Sequence, residues 1–375
     1  MIEISPDIAF IEKLQGATGS QLTTCMQCGA CTASCSLSED QDVFPRKQMI
    51  MAAWGMRDRL MADPHVWTCH QCGDCSVSCP RGVKPGEILA ALRQEQIVHY
   101  SKPAFLARWM QKPAFFPAAI LFPAAIIILI LSLAGTFSIP EGPVDYSEFF
   151  SHAWLNGSFT ALFVLSTIGA VIGLRRFTRN VFTQRTVQKT NPDKPDQGQS
   201  PQAPQPALRG ILTVLGRIMS HRDFNSCDEQ KSRSVTHFLV FWGFILLLFV
   251  TFFAILSTIF FEYPLSILNP IKIAGNLGAM MLLAGSSFMI LNRLRKRDQS
   301  NYADWFFLLS FWLLTFSGML VEGARFHEWS FAYHLYFFHL VMVWIIILYY
   351  PYTKFAHFLY RTVAMIITRS GRQAG

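Results

Sequence analysis

Eight of the nine cysteines in this 375-residue chain lie in two copies of one pattern. "CMQCGACTASC", from Cys25 to Cys35, and "CHQCGDCSVSC", from Cys69 to Cys79, both read C-x2-C-x2-C-x3-C. Three thiolates so closely spaced wrap one [4Fe–4S] cubane, while the fourth is placed to reach the other cluster. Cys25, Cys28, Cys31 and Cys79 are therefore expected on one cluster, and Cys69, Cys72, Cys75 and Cys35 on the second. Gly29 and Gly73 let the backbone turn tightly enough for amide N–H groups to approach sulfur, and Pro80 stops the chain after the last ligand. Zinc is the alternative, but its structural sites take four ligands in separated pairs. The ninth cysteine, Cys227, has no companion spacing and reads as an ordinary thiol.

Histidines make a second set of candidate ligands. "HLVMVWIIILYYPYTKFAH" begins at His339 and ends at His357. Read as one helix, its eighteen steps of roughly 100° make about five turns and about 27 Å, so both rings share a face near opposite edges of a bilayer. Imidazole is a common axial ligand for haem between helices. His237, in "SVTHFLVFWGFILLLF", lies at the same edge as His357, and an antiparallel pair of helices would set the two on either face of one haem b. Gly243 would leave room for the porphyrin, with Arg233, Lys354 or Arg361 for its propionates. On the other leaflet His334 is about 140° from His339 on the same helix and cannot clamp the same haem. His152 and His327 remain, and His152 is favoured because it lies on a span. His339 alternatively ligates alone or hydrogen-bonds a quinone, and the bland alternative for the whole set is interfacial histidines without metal.

The elements that must position these groups are mostly membrane helices. Of the chain 51% is hydrophobic and 15% charged, too apolar for an ordinary soluble protein of this length. Six apolar segments are read at about 116–139, 152–174, 237–260, 272–291, 304–321 and 331–353. "LRRFTR" follows the second, "NRLRKR" the fourth, and Lys354, Arg361 and Arg369 the sixth, whereas "IPEGPVDYSEFFS" between the first two has no Lys or Arg. The positive-inside rule then places both termini in the cytoplasm of a multi-pass cytoplasmic-membrane protein. The opening "MIEISPDIAFIEKLQG" lacks the regions of a signal peptide, and disulfides are disfavoured in that reducing compartment. The net charge of +8 reports topology and contact with membrane lipid, with nothing suggesting nucleic acid.

The fold expected is all-α: a helical two-[4Fe–4S] ferredoxin-like domain at 1–100, a junction with the first transmembrane helix at 101–151, and a cytochrome b bundle at 152–375, six transmembrane helices in all. "FPRKQMIMAAWGMRDRLM" is a helical spacer between the cysteine runs. Residues 184–207, rich in Pro and Gln, read as a flexible cytoplasmic linker, and "LRGILTVLGRIM" after it as a short interfacial helix or a plain connector. Glu148, Glu262 and Glu322 sit near the outer edge, as proton acceptors or, more simply, as solvated loop charges. The spans carry hardly any Asp, Glu or Lys, which disfavours an ion-conducting protein.

The cysteine runs and their spacer resemble the iron–sulfur subunit of heterodisulfide reductases. From about residue 145 the chain resembles cytochrome b subunits related to the nitrate reductase gamma subunit, through "FFHL" and "YPYTKFAH". Their fusion is similar to the fused cluster-and-cytochrome b component of the quinone-interacting membrane-bound oxidoreductase complexes of sulfate reducers. The resemblance implies two soluble flavin and iron–sulfur partner subunits, menaquinone/menaquinol as membrane carrier, and adenylylsulfate reductase as acceptor. It also exposes a departure: the nitrate reductase pattern has a second haem histidine ten residues after the first, where this chain has Leu247. A second haem would need another ligand, such as His152. The same parts run in reverse would reduce quinone, and a chain without haem would serve as an anchor.

Overall fold

The computed structural model describes residues 5–19, 22–38, 43–189, 208–221, 231–260, 265–296 and 302–369. These form helices, with no strand among the described residues. In chain order they are α1 (Ile8–Thr18), α2 (Ala30–Ala33), α3 (Arg46–Ala53), α4 (Arg57–Met61), α5 (Asp74–Val77), α6 (Pro85–Tyr100), α7 (Ala104–Trp109) and α8 (Phe116–Ala134). There follow α9 (Tyr146–Phe149), α10 (His152–Lys189), α11 (Leu208–Met219), α12 (Lys231–Phe260), α13 (Pro270–Lys296), α14 (Tyr302–Phe326), α15 (Ala332–Tyr349) and α16 (His357–Arg369). The chain divides into two compact units, one of Met1–Ala107, Ala170–Lys231 and Phe355–Gly375, the other of Arg108–Gly169 and Ser232–Lys354.

The first unit carries both cysteine runs. Asp7 caps α1 by accepting from the Phe10 amide at 2.9 Å, and Gly19 ends the helix in the left-handed region at φ 59°. Phe10, Ile11 and Leu14 of α1 share one buried core with Ile88, Leu89 and Leu92 of α6. The expected single spacer helix is two helices, α3 and α4. Gly55 separates them at φ +63°, and a Cβ there would stand 2.7 Å from the Asp7 backbone nitrogen, so only glycine fits. Fully buried Gln96 then uses its side-chain amide to meet the carbonyls of Leu60, Met61 and Asp63 at 2.7, 3.1 and 3.1 Å, satisfying the end of α4. The later part of α10 docks on the end of α6: Arg176 donates to the Tyr100 carbonyl at 2.7 Å, and Asn180 to the Tyr100 hydroxyl at 2.7 Å. Of the two readings of 208–219, a short helix and a plain connector, the structure has the helix, with Gly210 and Val214 buried in the unit and Leu208 and Leu212 exposed. Helix α10 runs on to Lys189, so the first residues of the expected linker are helical. The rest of that linker, and Cys227, lie outside the described residues.

The second unit is a bundle of membrane helices. Six helices of the chain, Pro113–Ala134, His152–Gln184, Ser234–Thr258, Pro270–Arg295, Tyr302–Phe326 and Ala332–Tyr352, are long and apolar enough to cross a membrane, matching the expected segments in number and order. In α8 the buried residues Ala119, Pro123, Ile127 and Leu131 recur every four residues, whereas Leu121, Leu129 and Leu133 are exposed, as on a lipid-facing surface. Glycines set the closest approach. A Cβ on Gly243 of α12 would lie 2.8 Å from the Leu282 nitrogen and 2.9 Å from the Gly278 carbonyl oxygen of α13; one on Gly285 would lie 3.0 Å from the Thr236 carbonyl oxygen. Van der Waals contact between near-touching backbones drives such pairs in lipid, where no hydrophobic term does. Gly243 therefore serves helix packing, and the face expected to accept a porphyrin is filled by α13.

The sixth apolar run is not one helix. Pro351 has no N–H to continue the ladder, and α15 ends at Tyr349. A single 3-10 turn, Tyr350–Tyr352, leads to Thr353, extended at φ −115° and ψ 178°, before a second turn and α16. The in-phase argument for His339 and His357 fails on this break. Gly243→Val should destabilise the protein by about 1–3 kcal/mol through overpacking, whereas Gly157→Ala, with nothing within 4 Å of the added carbon, should not. Thermal unfolding in detergent, followed by tryptophan fluorescence, checks both.

Candidate metal centres

The two cysteine runs fold the same way. Two residues after the first cysteine, Gln27 and Gln71 take positive φ, 57° and 56°. Directly after the second cysteine, Gly29 and Gly73 do so at 84° and 98°, and the third cysteine sits in the short helix that follows, α2 or α5. Such alternation turns successive amides inward to make an anion-binding concavity. The Gln71 amide indeed donates to Cys69 Sγ at 3.2 Å, and the Gln27 side chain to Cys25 Sγ at 3.3 Å. Helices α2 and α5 pack on one another, so the two concavities are neighbours.

One cavity is lined by Cys35 of the first run together with Cys69, Cys72 and Cys75 of the second, closed by Phe44, Gly73, Gly86 and Leu89. Burial, then Cys69, then Cys35 push the Cys75 thiol up to about 12, and burial followed by Cys25 raises that of Cys31. Thiols so placed are harder to ionise, and the positive iron core of a cluster would offset the charge of their thiolates. Cys25, Cys35 and Cys79 lie against the core in which Cys69 is buried. Among the described residues no three His, Cys, Asp or Glu side chains close on one point as around a single ion. The all-thiol donor set and the shared cavity fit a cubane, whose ligands bind at its corners.

The loop of the second run is held from the far end of the sequence. Arg361 of α16 donates to the carbonyls of Trp67 at 3.2 Å and Cys69 at 2.8 Å, and its other terminal nitrogen lies 2.9 Å from His70 Nδ1. Tyr360 stacks on Trp67, centroids 5.2 Å apart and planes at 14°. From α6, Arg93 reaches the Val66 carbonyl and the Gln71 side chain, both at 3.1 Å. Arg361 thus serves the cysteine loop, not a propionate, and Lys354 is paired with Asp304 at 2.8 Å. The Arg233 side chain lies outside the described residues. Sequence reasoning misses Arg361, Arg93 and Tyr360 in these roles; the basic Arg361 just after His357 is the one visible signal.

The histidines are placed as follows. His237 is half-buried in the second turn of α12, and His357 opens α16. His339 lies against α14, its Nδ1 3.0 Å from Ser317 Oγ and its Cε1 3.0 Å from where a Cβ on Gly318 would be. With Nδ1 on a hydroxyl, Nε2 is the ring nitrogen that a metal would take. His152 is the first residue of α10. Contacts of Phe159 with Trp344 of α15 and of Thr167 with Tyr350, the residue just after it, run α10 and α15 side by side in one direction. His152 and His339 therefore fall within about one turn in depth, although the His339 ring is turned to α14. Leu247 packs on Gly278 of α13, so that position could not present a ligand elsewhere. Of the outer acids, Glu322 pairs with Lys272 at 2.9 Å, Glu148 is exposed, and Glu262 lies outside the described residues.

Comparison with known proteins matches two parts of the chain. Residues 21–83 match a 4Fe-4S dicluster domain, which supports two [4Fe–4S] clusters, and residues 110–375 match the family of citrate utilization protein B. Citrate utilization protein B of Escherichia coli is 26% identical over 308 residues, covering 76% of each chain. The C subunit of the H(2):CoB-CoM heterodisulfide,ferredoxin reductase of Methanothermobacter thermautotrophicus is 35% identical over 101 residues, 27% of this chain. A protein of Archaeoglobus profundus that is itself like the C subunit of heterodisulfide reductase is 38% identical over 100 residues, 26% of this chain. The matched region spans 52% of each of these last two relatives. No solved structure matches. With a dicluster domain like that of the heterodisulfide reductase relatives ahead of its membrane helices, the chain belongs to the citrate utilization protein B family.

Proposed function

We propose that this chain is the membrane subunit of a multi-subunit quinone-interacting oxidoreductase. It oxidises menaquinol and passes electrons through haem b and two [4Fe–4S] clusters to two soluble flavin and iron–sulfur subunits, with adenylylsulfate reductase as the acceptor. Residues 1–100 form the cluster domain, 101–151 the junction, and 152–375 the haem domain of a cytoplasmic-membrane protein with both termini inside. The observation that carries the reading is the joining, in one chain, of a cavity lined by four cysteines from two runs with six helices able to span a membrane.

Quinol supplies two electrons and two protons when it is oxidised, while haem and each cluster take up and release one electron at a time. The protein's part is to hold and tune these groups. Cys25, Cys28, Cys31 and Cys79 hold one cluster, and Cys69, Cys72, Cys75 and Cys35 the other. His237 and His357 ligate the haem, on the sequence argument. A second haem would rest on His339, supported by its Ser317 contact, with His152 at a similar depth. Glu322 is engaged by Lys272, so neither it nor exposed Glu148 is assigned a proton.

The family match favours a second reading. The name of the Escherichia coli relative concerns citrate utilization, and a soluble partner acting there would deliver electrons to the clusters, with quinone reduced in the membrane. Adding a menaquinol analogue to the anaerobically purified protein separates the two. Reduction of haem absorption bands followed by cluster EPR signals supports quinol oxidation; haem that stays oxidised with quinol, yet is reduced through reduced clusters, supports the second reading. Protein without haem is an anchor, and both readings fail.

Two substitutions test the ligands. Cys35→Ala should halve the iron from about eight to about four per chain and remove the same EPR signal as Cys72→Ala, while Cys28→Ala and Cys79→Ala remove the other. His237→Ala should abolish the haem b bands and leave both cluster signals in place; persistence of the bands removes His237 from the ligand set.

A further inference from the structure

The contacts of α16 with the second cysteine loop go beyond what a structural clasp requires. Arg361 meets three acceptors within a short stretch of that loop: the carbonyls of Trp67 and Cys69 and the His70 ring nitrogen. Its planar guanidinium keeps its charge at every accessible pH and presents a rigid fork of donors, which lysine cannot copy. One of these acceptors is the backbone of Cys69, itself a cysteine of the cavity. A permanent cation is thereby fixed on the backbone of a proposed ligand. Buried charges and hydrogen bonds around the thiolates are among the terms that set a cluster's potential.

The same helix begins at His357, four residues or about one turn before Arg361, a rise of about 6 Å. Between them Tyr360 lies flat on Trp67. The close fit is secured by Gly173 of α10, where a Cβ would stand 2.8 Å from the Tyr360 hydroxyl. Trp67 and Tyr360 belong to one buried cluster with Tyr100, Phe177 and Ala364, so this contact is not a surface accident.

We propose that Arg361 is a positioning residue that fixes the Cys69–Cys72–Cys75 loop on α16 and raises the reduction potential of the cluster held there. That cluster, and not the one on Cys25, Cys28 and Cys31, is then the one joined to the helix of His357, with the Trp67–Tyr360 stack beside it. This rests on the cysteine assignment proposed above.

The test uses the whole protein in detergent, with EPR-monitored redox titration and with the rate at which each cluster signal is lost to an iron chelator. The two signals are assigned beforehand by Cys72→Ala and Cys28→Ala. Arg361→Gln is expected to move the midpoint of the Cys72-dependent cluster to more negative potential, to leave the other cluster unmoved, and to speed chelator loss of the first several-fold. Arg361→Lys, which keeps the charge but not the fork, is expected to hold the potential near the parent value while still speeding chelator loss. If Arg361→Gln does not accumulate folded, the chelation rates of Arg361→Lys alone decide. An unmoved pair of clusters, a shift shared equally by both, or a shift confined to the Cys28-dependent signal overturns the proposal and leaves the cysteine assignment standing. If the parent protein binds no cluster, the assignment itself fails and the proposal with it.

Discussion

Thiols that share a metal cluster stand so close that the negative charge each would carry bears on the others. In this chain Cys69 and Cys75 are buried, and Cys75 feels both Cys69 and Cys35. Like charges this close disfavour one another's ionisation. The rest of the first unit can be understood as the means of keeping them there. Left-handed turns at Gln27, Gly29, Gln71 and Gly73 aim amides at sulfur. The core shared by α1, α3, α4 and α6 backs the cavity, and Arg361 and Arg93 hold the second loop by its carbonyls.

The membrane helices answer a different constraint. Without water to drive apolar surfaces together, their association depends on how closely backbones approach and on side-chain hydrogen bonds. Gly243, Gly278 and Gly285 supply the first for α12 and α13. The hydrogen bond from Trp312 to Ser287, 2.9 Å, supplies the second for α13 and α14. At one end of the bundle Tyr146 stacks on Tyr336 at 4.4 Å and donates to the Val321 carbonyl at 2.8 Å, tying the short α9 to both α14 and α15. The same economy explains why His339 is accommodated: Gly318 leaves the space that its ring fills.

The features legible in the sequence are those fixed by local chemistry. Ligand spacing announces the cysteine runs, apolar length announces six spans, and a one-sided pattern admits the helix 208–219 beside a plain connector. What is not legible depends on distant partners or on a breaker masked by its surroundings. Gly55 looks harmless inside a helical pattern until Asp7, far earlier in the chain, is found against it. Pro351 is visible, yet the apolar run around it invites one helix instead of two. Gly243 reads as space for a ring and is instead occupied by a helix, because a missing side chain does not say what fills the gap. No pattern assigns Arg361 to Trp67, Cys69 and His70, since its partners lie some 290 residues away in the chain.

The cavity that includes Cys35 has both ends of the intervening stretch, up to Cys69, at its wall. Closing so long a loop costs conformational entropy that grows with its length. Here the cost is met elsewhere: Phe44, Met49, Leu60, Met61 and Val66 from that stretch are already buried with α1 and α6, and Gln96 fastens its end. Those buried contacts, and not the thiols alone, hold the two runs at one cavity. Most of the chain between the two runs is thus ordered by its own apolar contacts, and the cysteines mark only the ends of a loop that the helical core already spans.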